Sequence, residues 1–121
     1  MLNKVMLIGH LGGDPEIRYT AGGTPVAGFN LATTERFTDK ATGERREETQ
    51  WHRIVAWGKL AEICSQYLHK GSRIHLEGKL VYRKWEDKSG ESRTSTDIRM
   101  TSMVMLDNKR PDGPAASDIP F

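Results

Sequence analysis

Apolar and polar residues alternate along most of this chain, which is the period expected of β-strands that bury one face. Five such runs are bounded by residues typical of turns. They predict strands over residues 3–11, 26–35, 48–57, 72–86 and 92–106. Residues 16–20 are expected to extend the first strand after a bend at Gly12-Gly13-Asp14-Pro15.

One segment has a different period. Between residues 59 and 70 the apolar side chains recur at intervals of three and four, which predicts an amphipathic helix. His69 and Lys70 would suit the negative C-terminal end of this helix, and Gly71 would supply its left-handed cap. The predicted apolar stripe consists of Leu60, Ile63, Cys64, Tyr67 and Leu68. We also expect Phe29 to be a core residue.

The order of these elements predicts an all-β fold with one helix. Five strands with a helix between the third and the fourth match the OB-fold, a small five-stranded Greek-key barrel. The polar segment 36–47 is expected to be a mobile loop or hairpin tip. Residues 1–106 would form this domain, whereas 107–121 are rich in Pro, Ala and polar residues and should be a short disordered tail.

Composition and charge indicate the cellular compartment of the protein more clearly than its function. The chain contains 18 Lys and Arg residues and 16 Asp and Glu residues. The resulting net charge of +2 is weak evidence for a nucleic-acid partner. The single cysteine allows no intrachain disulfide and fits a reducing compartment. The apolar run from Val5 to Ile8 is too short for a signal segment or a membrane span. We therefore expect a cytoplasmic protein without a membrane partner.

The sequence gives little evidence for catalytic or metal-binding residues. Cys64 belongs to the apolar helix stripe, where an inert buried thiol is the usual case. The four histidines have neither metal-ligand spacing nor cysteine partners. Asp14 and Glu16 flank a turn proline and are better explained as solvated turn residues than as an acid and a base. The residues predict neither an enzyme nor a metal site.

Large aromatic residues alternate with basic residues at three places. Trp51, Arg53 and Trp57 share one face of a predicted strand, Arg83 and Trp85 share a face of another, and Phe37 lies in a polar loop. Unpaired bases present π-faces on which aromatic rings stack whatever the base, while Lys and Arg follow the phosphates. The predicted stacking residues are Phe37, Trp51, Trp57 and Trp85; the predicted phosphate contacts are Arg53, Lys59, Lys70, Arg83 and Lys84. A core position is the alternative for each tryptophan taken alone.

Several strings, among them NKVMLIGHLGGDPEIRYT, ETQWHRIVAWGKLAE, YLHKGSRIHLEGKL and RKWEDKSGE, closely resemble the bacterial single-stranded DNA-binding protein (SSB) family over residues 1–106. The resemblance implies sequence-nonspecific binding of single-stranded DNA in replication, recombination and repair, with no enzymatic activity and no cofactor. It also implies a nucleoid-associated homotetramer. The family's stacking positions fall on the four aromatics above, with Phe37 where a Trp is usual and Trp57 where a Phe is common.

The resemblance further implies roles for residues outside the stacking set. In the family, subunit contacts occupy the positions of the strand from Asn3 to Leu11, which includes Leu7, and of His52 and His75. A partner-binding C-terminal tip corresponds to Asp118, Ile119, Pro120 and Phe121, through which replication and repair proteins would be recruited. This tip follows a short linker and carries one carboxylate, so its electrostatic attraction to partners would be weaker than is usual in the family.

Two further interpretations remain open from the residues. An OB-fold primosome-type accessory protein would act mainly through protein contacts and would not need the stacking set. An RNA-binding OB domain would use the same aromatic and basic residues, since RNA and DNA are told apart by a contact to the 2′-hydroxyl.

Overall fold

The computed structural model describes residues 1–107, which form six strands and one helix. Residues 108–121 lie outside the described residues, and with them nearly all of the predicted tail and the predicted tip at 118–121. Helix α1 spans Lys59–Tyr67. The strands are β1 (Val5–Leu11), β2 (Glu16–Tyr19), β3 (Pro25–Thr38), β4 (Arg45–Trp57), β5 (Arg73–Glu86) and β6 (Ser92–Met105).

Five of these strands close into a barrel. β1 pairs with β5, β5 with β6 and β4 with β3, all antiparallel, whereas β6 runs parallel to β4. The barrel closes where β3 meets β1 at the pairs His10–Ala32 and Leu11–Leu31. The predicted all-β class and OB-fold plan are confirmed.

The helix follows the fourth strand rather than the third because residues 16–19 form a strand of their own. They do not extend β1, as the sequence suggested, but pair antiparallel with residues 25–28 of β3. This pairing satisfies backbone groups that a bent extension of β1 would have left without a ladder partner. β2 lies beside the barrel as an extra edge strand.

The core is made by the inward side chains of the barrel strands and by one stripe of α1. The predicted alternation in β3 is confirmed, because Ala27, Phe29 and Leu31 are all buried. The core cluster consists of Leu11, Ala27, Phe29, Leu31, Ile54, Ala56, Ala61, Cys64, Leu68, Ile74, Leu76, Ile98 and Met100.

The end of the helix differs from the prediction. α1 ends at Tyr67 because Leu68 adopts an extended conformation (φ −99°, ψ 149°) that turns its side chain into the core. His69 therefore lies beyond the helix, and Gly71, with φ 91°, serves a turn closed by the Ser72 N–H and the His69 carbonyl. Tyr67 was expected in the core but is 54% exposed, since Leu68 supplies the buried side chain at this end.

The loop within the polar segment 36–47 is shorter than predicted. β3 and β4 continue to pair as far as Thr38 and Arg45, so only residues 39–44 connect them. Cross-strand polar contacts support this ribbon, including a 2.7 Å ion pair between Arg36 Nε and Glu47 Oε2. Phe37 consequently lies on a strand.

Candidate nucleic-acid interface

Strands β4, β6 and β5 lie side by side and share an outer face, made of alternate residues in 51–57, 93–99 and 81–85. On β4, Ile54 and Ala56 point into the core, so that Trp51, Arg53 and Trp57 lie on the outer face, as the period of two predicted. The parallel pairing of Val55 with Arg99 puts alternate β6 residues on the same face.

The β5 residues join this face through their pairing with β6. Arg83 pairs with Ser95 and Trp85 with Arg93, while Ile98 of β6 remains in the core. The structure therefore places all three tryptophans on the same face of three neighbouring strands.

A cleft of about 440 Å³ opens on this surface between β2, β4, β5 and β6. Its volume falls in the range of small-ligand sites. Its charged lining is one carboxylate, Asp97, and four guanidinium groups, those of Arg18, Arg53, Arg83 and Arg99. Four cations against one anion give the cleft a positive potential that attracts phosphate groups.

The carboxylate of Asp97 lines the cleft together with the four arginines. Arg83 Nε donates to Asp97 Oδ2 at 3.3 Å, and Asp97 is 8% exposed. Its other oxygen, Oδ1, is buried without a hydrogen-bond partner among the described residues. Asp97 thus holds one arginine of the cleft and offsets part of its charge.

Trp57 lies at the edge of the cleft and is partly covered. The guanidinium carbon of Arg99 lies 5.1 Å from the centroid of the Trp57 ring, which is a cation–π distance. The ring is 40% exposed. One side of Trp57 is therefore in contact with a cation of the neighbouring strand.

Trp51 is the most exposed of the three tryptophans, at 61%. Its ring packs over Gly12, where a Cβ would lie only 2.5 Å from Trp51 Cζ3. Arg53 has a similar neighbour, since a Cβ at Gly28 would lie 2.5 Å from Arg53 Nη2. Two side chains of β4 that are predicted to bind DNA thus occupy space that Gly12 and Gly28 leave open.

A hydrogen bond at the edge of the indole ring orients Trp85. Its indole Nε1–H donates a 2.9 Å hydrogen bond to Ser95 Oγ on β6. Because the bond uses the ring edge, it orients the ring without occupying either π-face.

Phe37 is half-exposed but does not join the outer face. Trp51 pairs with Ala32, whereas Phe37 pairs with Arg46 further out along the β3–β4 ribbon. By alternation Phe37 lies on the opposite face of that ribbon from Trp51. The structure therefore separates the fourth predicted stacking residue from the other three.

The predicted phosphate contacts fall at different places. Arg53 and Arg83 line the cleft, and Lys59 is the exposed first residue of α1, two positions after Trp57. Lys70 lies in the turn after the helix, where its backbone N–H donates to Asp14 Oδ1 at 2.8 Å. Lys84 lies on the opposite face of β5 from Arg83.

Among the charged and aromatic residues that line the cleft, sequence reasoning missed Arg18, Tyr19, Asp97 and Arg99. The alternation along β6 puts Asp97 and Arg99 on one face and was available as a signal. It could not say which tryptophan Arg99 would meet, because that depends on the parallel pairing of β4 with β6.

The residues predicted to form subunit contacts lie elsewhere, and two of them have partners within the chain. The Asn3 side chain forms two hydrogen bonds with the backbone of Leu80, at 3.0 and 2.9 Å. Leu7 is partly buried against the core, and His52 Nε2 lies 2.9 Å from Thr33 Oγ1.

Cys64 is buried in the core, as expected. Burial raises the pKa of its thiol to about 11, which keeps the sulfur protonated and a poor nucleophile. Within residues 1–107 no group of three or more His, Cys, Asp or Glu side chains could hold a metal ion. In the same part of the chain, no helix is long and apolar enough to cross a membrane.

Comparison with known proteins adds to this geometry. The model of the Single-strand binding protein family matches residues 2–106. Over 113 residues the chain is 57% identical to Single-stranded DNA-binding protein 1 of Chlorobaculum tepidum, covering 93% of this chain and 69% of that protein.

Two solved structures share the fold. The structure of Plasmodium falciparum SSB in complex with ssDNA superposes with a TM-score of 0.81 at 38% identity, covering 88% of this chain and 97% of that one. A deletion mutant of the single-stranded DNA binding protein from Thermus aquaticus gives a TM-score of 0.76 at 38% identity, covering 90% of this chain and 52% of the other.

Proposed function

The chain belongs to the single-strand binding protein family, and on that premise we propose that it binds and protects single-stranded DNA without strong sequence preference. The observation that carries the proposal is the outer face, which presents three exposed tryptophans and a cleft lined by Trp57, four arginines and one carboxylate. Such a surface binds by contact and needs no catalytic group.

The proposed mechanism combines stacking with phosphate contacts. Each base that stacks on a tryptophan contributes roughly 1–3 kcal/mol, and every base can do so because every base has a π-face. The arginines neutralise phosphates and release counterions, so the affinity falls as salt rises. Duplex DNA is a poor ligand for this surface, since its bases already stack on one another.

Tryptophan fluorescence during titration with oligo-dT tests the proposal. We expect strong quenching by the single strand, little by a duplex of equal length, and weaker binding at higher salt. Trp51→Leu should reduce the affinity, whereas Tyr67→Leu, which removes an exposed aromatic from α1, should not. Folded protein that shows no binding would refute the proposal and favour the protein-contact interpretation; tighter binding of a matched RNA strand would favour RNA as the ligand.

We propose in addition that the chain forms a homotetramer through the surface around β1. Within the described residues, positions 5–9 of β1 pair only with β5, so their other edge is open. Exposed Ile8 pairs with His75, and His75 pairs with exposed Val104, so two exposed apolar side chains lie on either side of a histidine across three strands.

Light scattering coupled to gel filtration tests this assembly. The unaltered chain should elute as a tetramer, and Ile8→Glu should lower its mass. Tyr67→Glu provides a control that adds the same charge at an exposed position outside these three strands. A monomeric mass for the unaltered chain would refute the assembly without bearing on DNA binding.

We further propose that the tip at Asp118, Ile119, Pro120 and Phe121 recruits replication and repair proteins, and that DNA binding places the protein in the nucleoid. Support comes from the sequence, since an apolar Ile-Pro-Phe terminus beside a carboxylate suits a hydrophobic pocket with a basic rim. Removal of Phe121 should abolish co-precipitation of a purified helicase or exonuclease. Equal capture with and without Phe121 would refute recruitment by the tip.

A further inference from the structure

We propose that Arg99 is a positioning residue for Trp57, whose ring it covers on one face so that a single DNA base stacks on the other. The inference rests on the proposed function, because the base is the ligand that the free face would receive. Neither the stacking set nor the phosphate set expected from the sequence includes Arg99.

The contact between the two side chains is built into the barrel. Val55 pairs with Arg99 in the parallel β4–β6 ladder, and Trp57 follows two residues later on the same face. The guanidinium carbon lies 5.1 Å from the ring centroid. The ladder fixes both backbones, so the guanidinium can reach the ring without help from a flexible loop.

Trp57 needs such a contact more than the other two tryptophans do. Trp85 is oriented by its hydrogen bond to Ser95, and Trp51 packs on the backbone of Gly12. Trp57 is the last residue of β4, before Gly58, which has φ 65° and starts the turn into α1. A ring at a strand end that is already held in place loses less conformational entropy when a base binds.

Arg99 also brings positive charge to the base that stacks there. Arg99, Arg53 and Arg83 line the same cleft as Trp57, so the phosphates that flank a base stacked on Trp57 should meet a positive potential there. Arg99 should therefore favour stacking on Trp57 in two ways. It holds the ring in position, and its charge attracts phosphates, which makes binding depend on salt.

The effect on the ring is measured without DNA. A chain carrying Trp51→Phe and Trp85→Phe retains Trp57 as its only tryptophan. Adding Arg99→Leu should shift its emission to longer wavelength and increase quenching by acrylamide, a neutral quencher that the charge change does not attract. Lys79→Leu is the matched control, since exposed Lys79 pairs directly with Arg99 and its loss removes the same charge.

The effect on binding is measured by anisotropy of labelled oligo-dT. In the unaltered background Arg99→Leu should weaken binding about two- to fivefold more than Lys79→Leu does. In a Trp57→Leu background the two substitutions should weaken binding equally. Arg99→Lys keeps the positive charge but lacks the planar guanidinium that covers the ring. Compared with Arg99→Leu, it should therefore recover the salt dependence of binding but not the emission spectrum.

The outcomes separate this inference from the proposed function. Equal losses for Arg99→Leu and Lys79→Leu in the unaltered background, or an unchanged Trp57 emission, would overturn the positioning role while leaving DNA binding intact. Failure of the unaltered chain to bind oligo-dT would refute the proposed function instead, and the emission measurement would still decide whether Arg99 covers the ring.

Discussion

The packing of Trp51 over Gly12 makes a strong prediction for the substitution Gly12→Ala. The new Cβ would lie 2.5 Å from Trp51 Cζ3 and 2.9 Å from Cη2, whereas carbon atoms in contact are normally about 3.5–4.0 Å apart. The ring must therefore retreat by roughly 1 Å from its present position. The backbone need not move, because Gly12 has no positive φ and alanine retains the N–H that donates to the Asn30 carbonyl.

The displacement should affect DNA binding more than folding. A base stacked on an aromatic ring contributes roughly 1–3 kcal/mol, so a partly misplaced Trp51 should cost about 0.5–2 kcal/mol, or about a 2- to 30-fold loss of affinity. The ring is 61% exposed and can move outward, so the free energy of unfolding should change by less than about 1 kcal/mol.

Gly13→Ala provides the control, since a Cβ at residue 13 has no neighbour within 4 Å and Gly13 has no positive φ. Anisotropy with labelled oligo-dT gives the affinities, and thermal unfolding gives the stabilities. If Gly12→Ala and Gly13→Ala bind the single strand equally well, the idea that Gly12 makes room for a working Trp51 is wrong.

Three further substitutions or titrations follow from single contacts. Ser95→Ala removes the acceptor that orients Trp85 and should weaken oligo-dT binding about two- to fivefold; unchanged binding would show that the bond does not matter. Cys64 should resist thiol reagents in the folded protein, and its contribution to stability should be complete below pH 9 and lost as the pH rises through about 11; rapid labelling of native protein would contradict this. Hydrogen bonds from Ser89, Arg93 and the Glu91 backbone lower the pKa of Asp87 to about 2, so its contribution to the hairpin tip should persist above pH 3.8 and disappear as the pH falls through about 2. NMR shifts of the Ser89 and Glu91 amides measure this loss, and a midpoint near pH 4 would contradict it.

Most of the barrel could be predicted because alternation is a local property of strands. Ile54 and Ala56 are apolar and share one face, while Arg53, a residue that resists burial, shares the other face with Trp51 and Trp57, so the faces of β4 were readable without any knowledge of its neighbours. Residues 16–19 were misassigned because a four-residue strand carries too little pattern to reveal its partner.

The end of the helix shows the limit of a periodic pattern. Tyr67 and Leu68 both fit the apolar stripe, but only one side chain could enter the core at the end of the helix. The barrel receives Leu68 in an extended conformation, and Tyr67 stays in solvent. Tertiary packing outweighs helix propensity at such a boundary.

By itself the sequence determined which strands carry aromatic and basic residues and which face of β4 presents them, because side-chain direction along a strand follows from the backbone. Tertiary structure alone decided the neighbours of the predicted stacking residues: Gly12 beneath Trp51, Arg99 against Trp57, and Phe37 apart from both. These contacts join residues far apart in the chain, and their distances depend on strand pairing and on the closure of the barrel, which a local pattern does not contain.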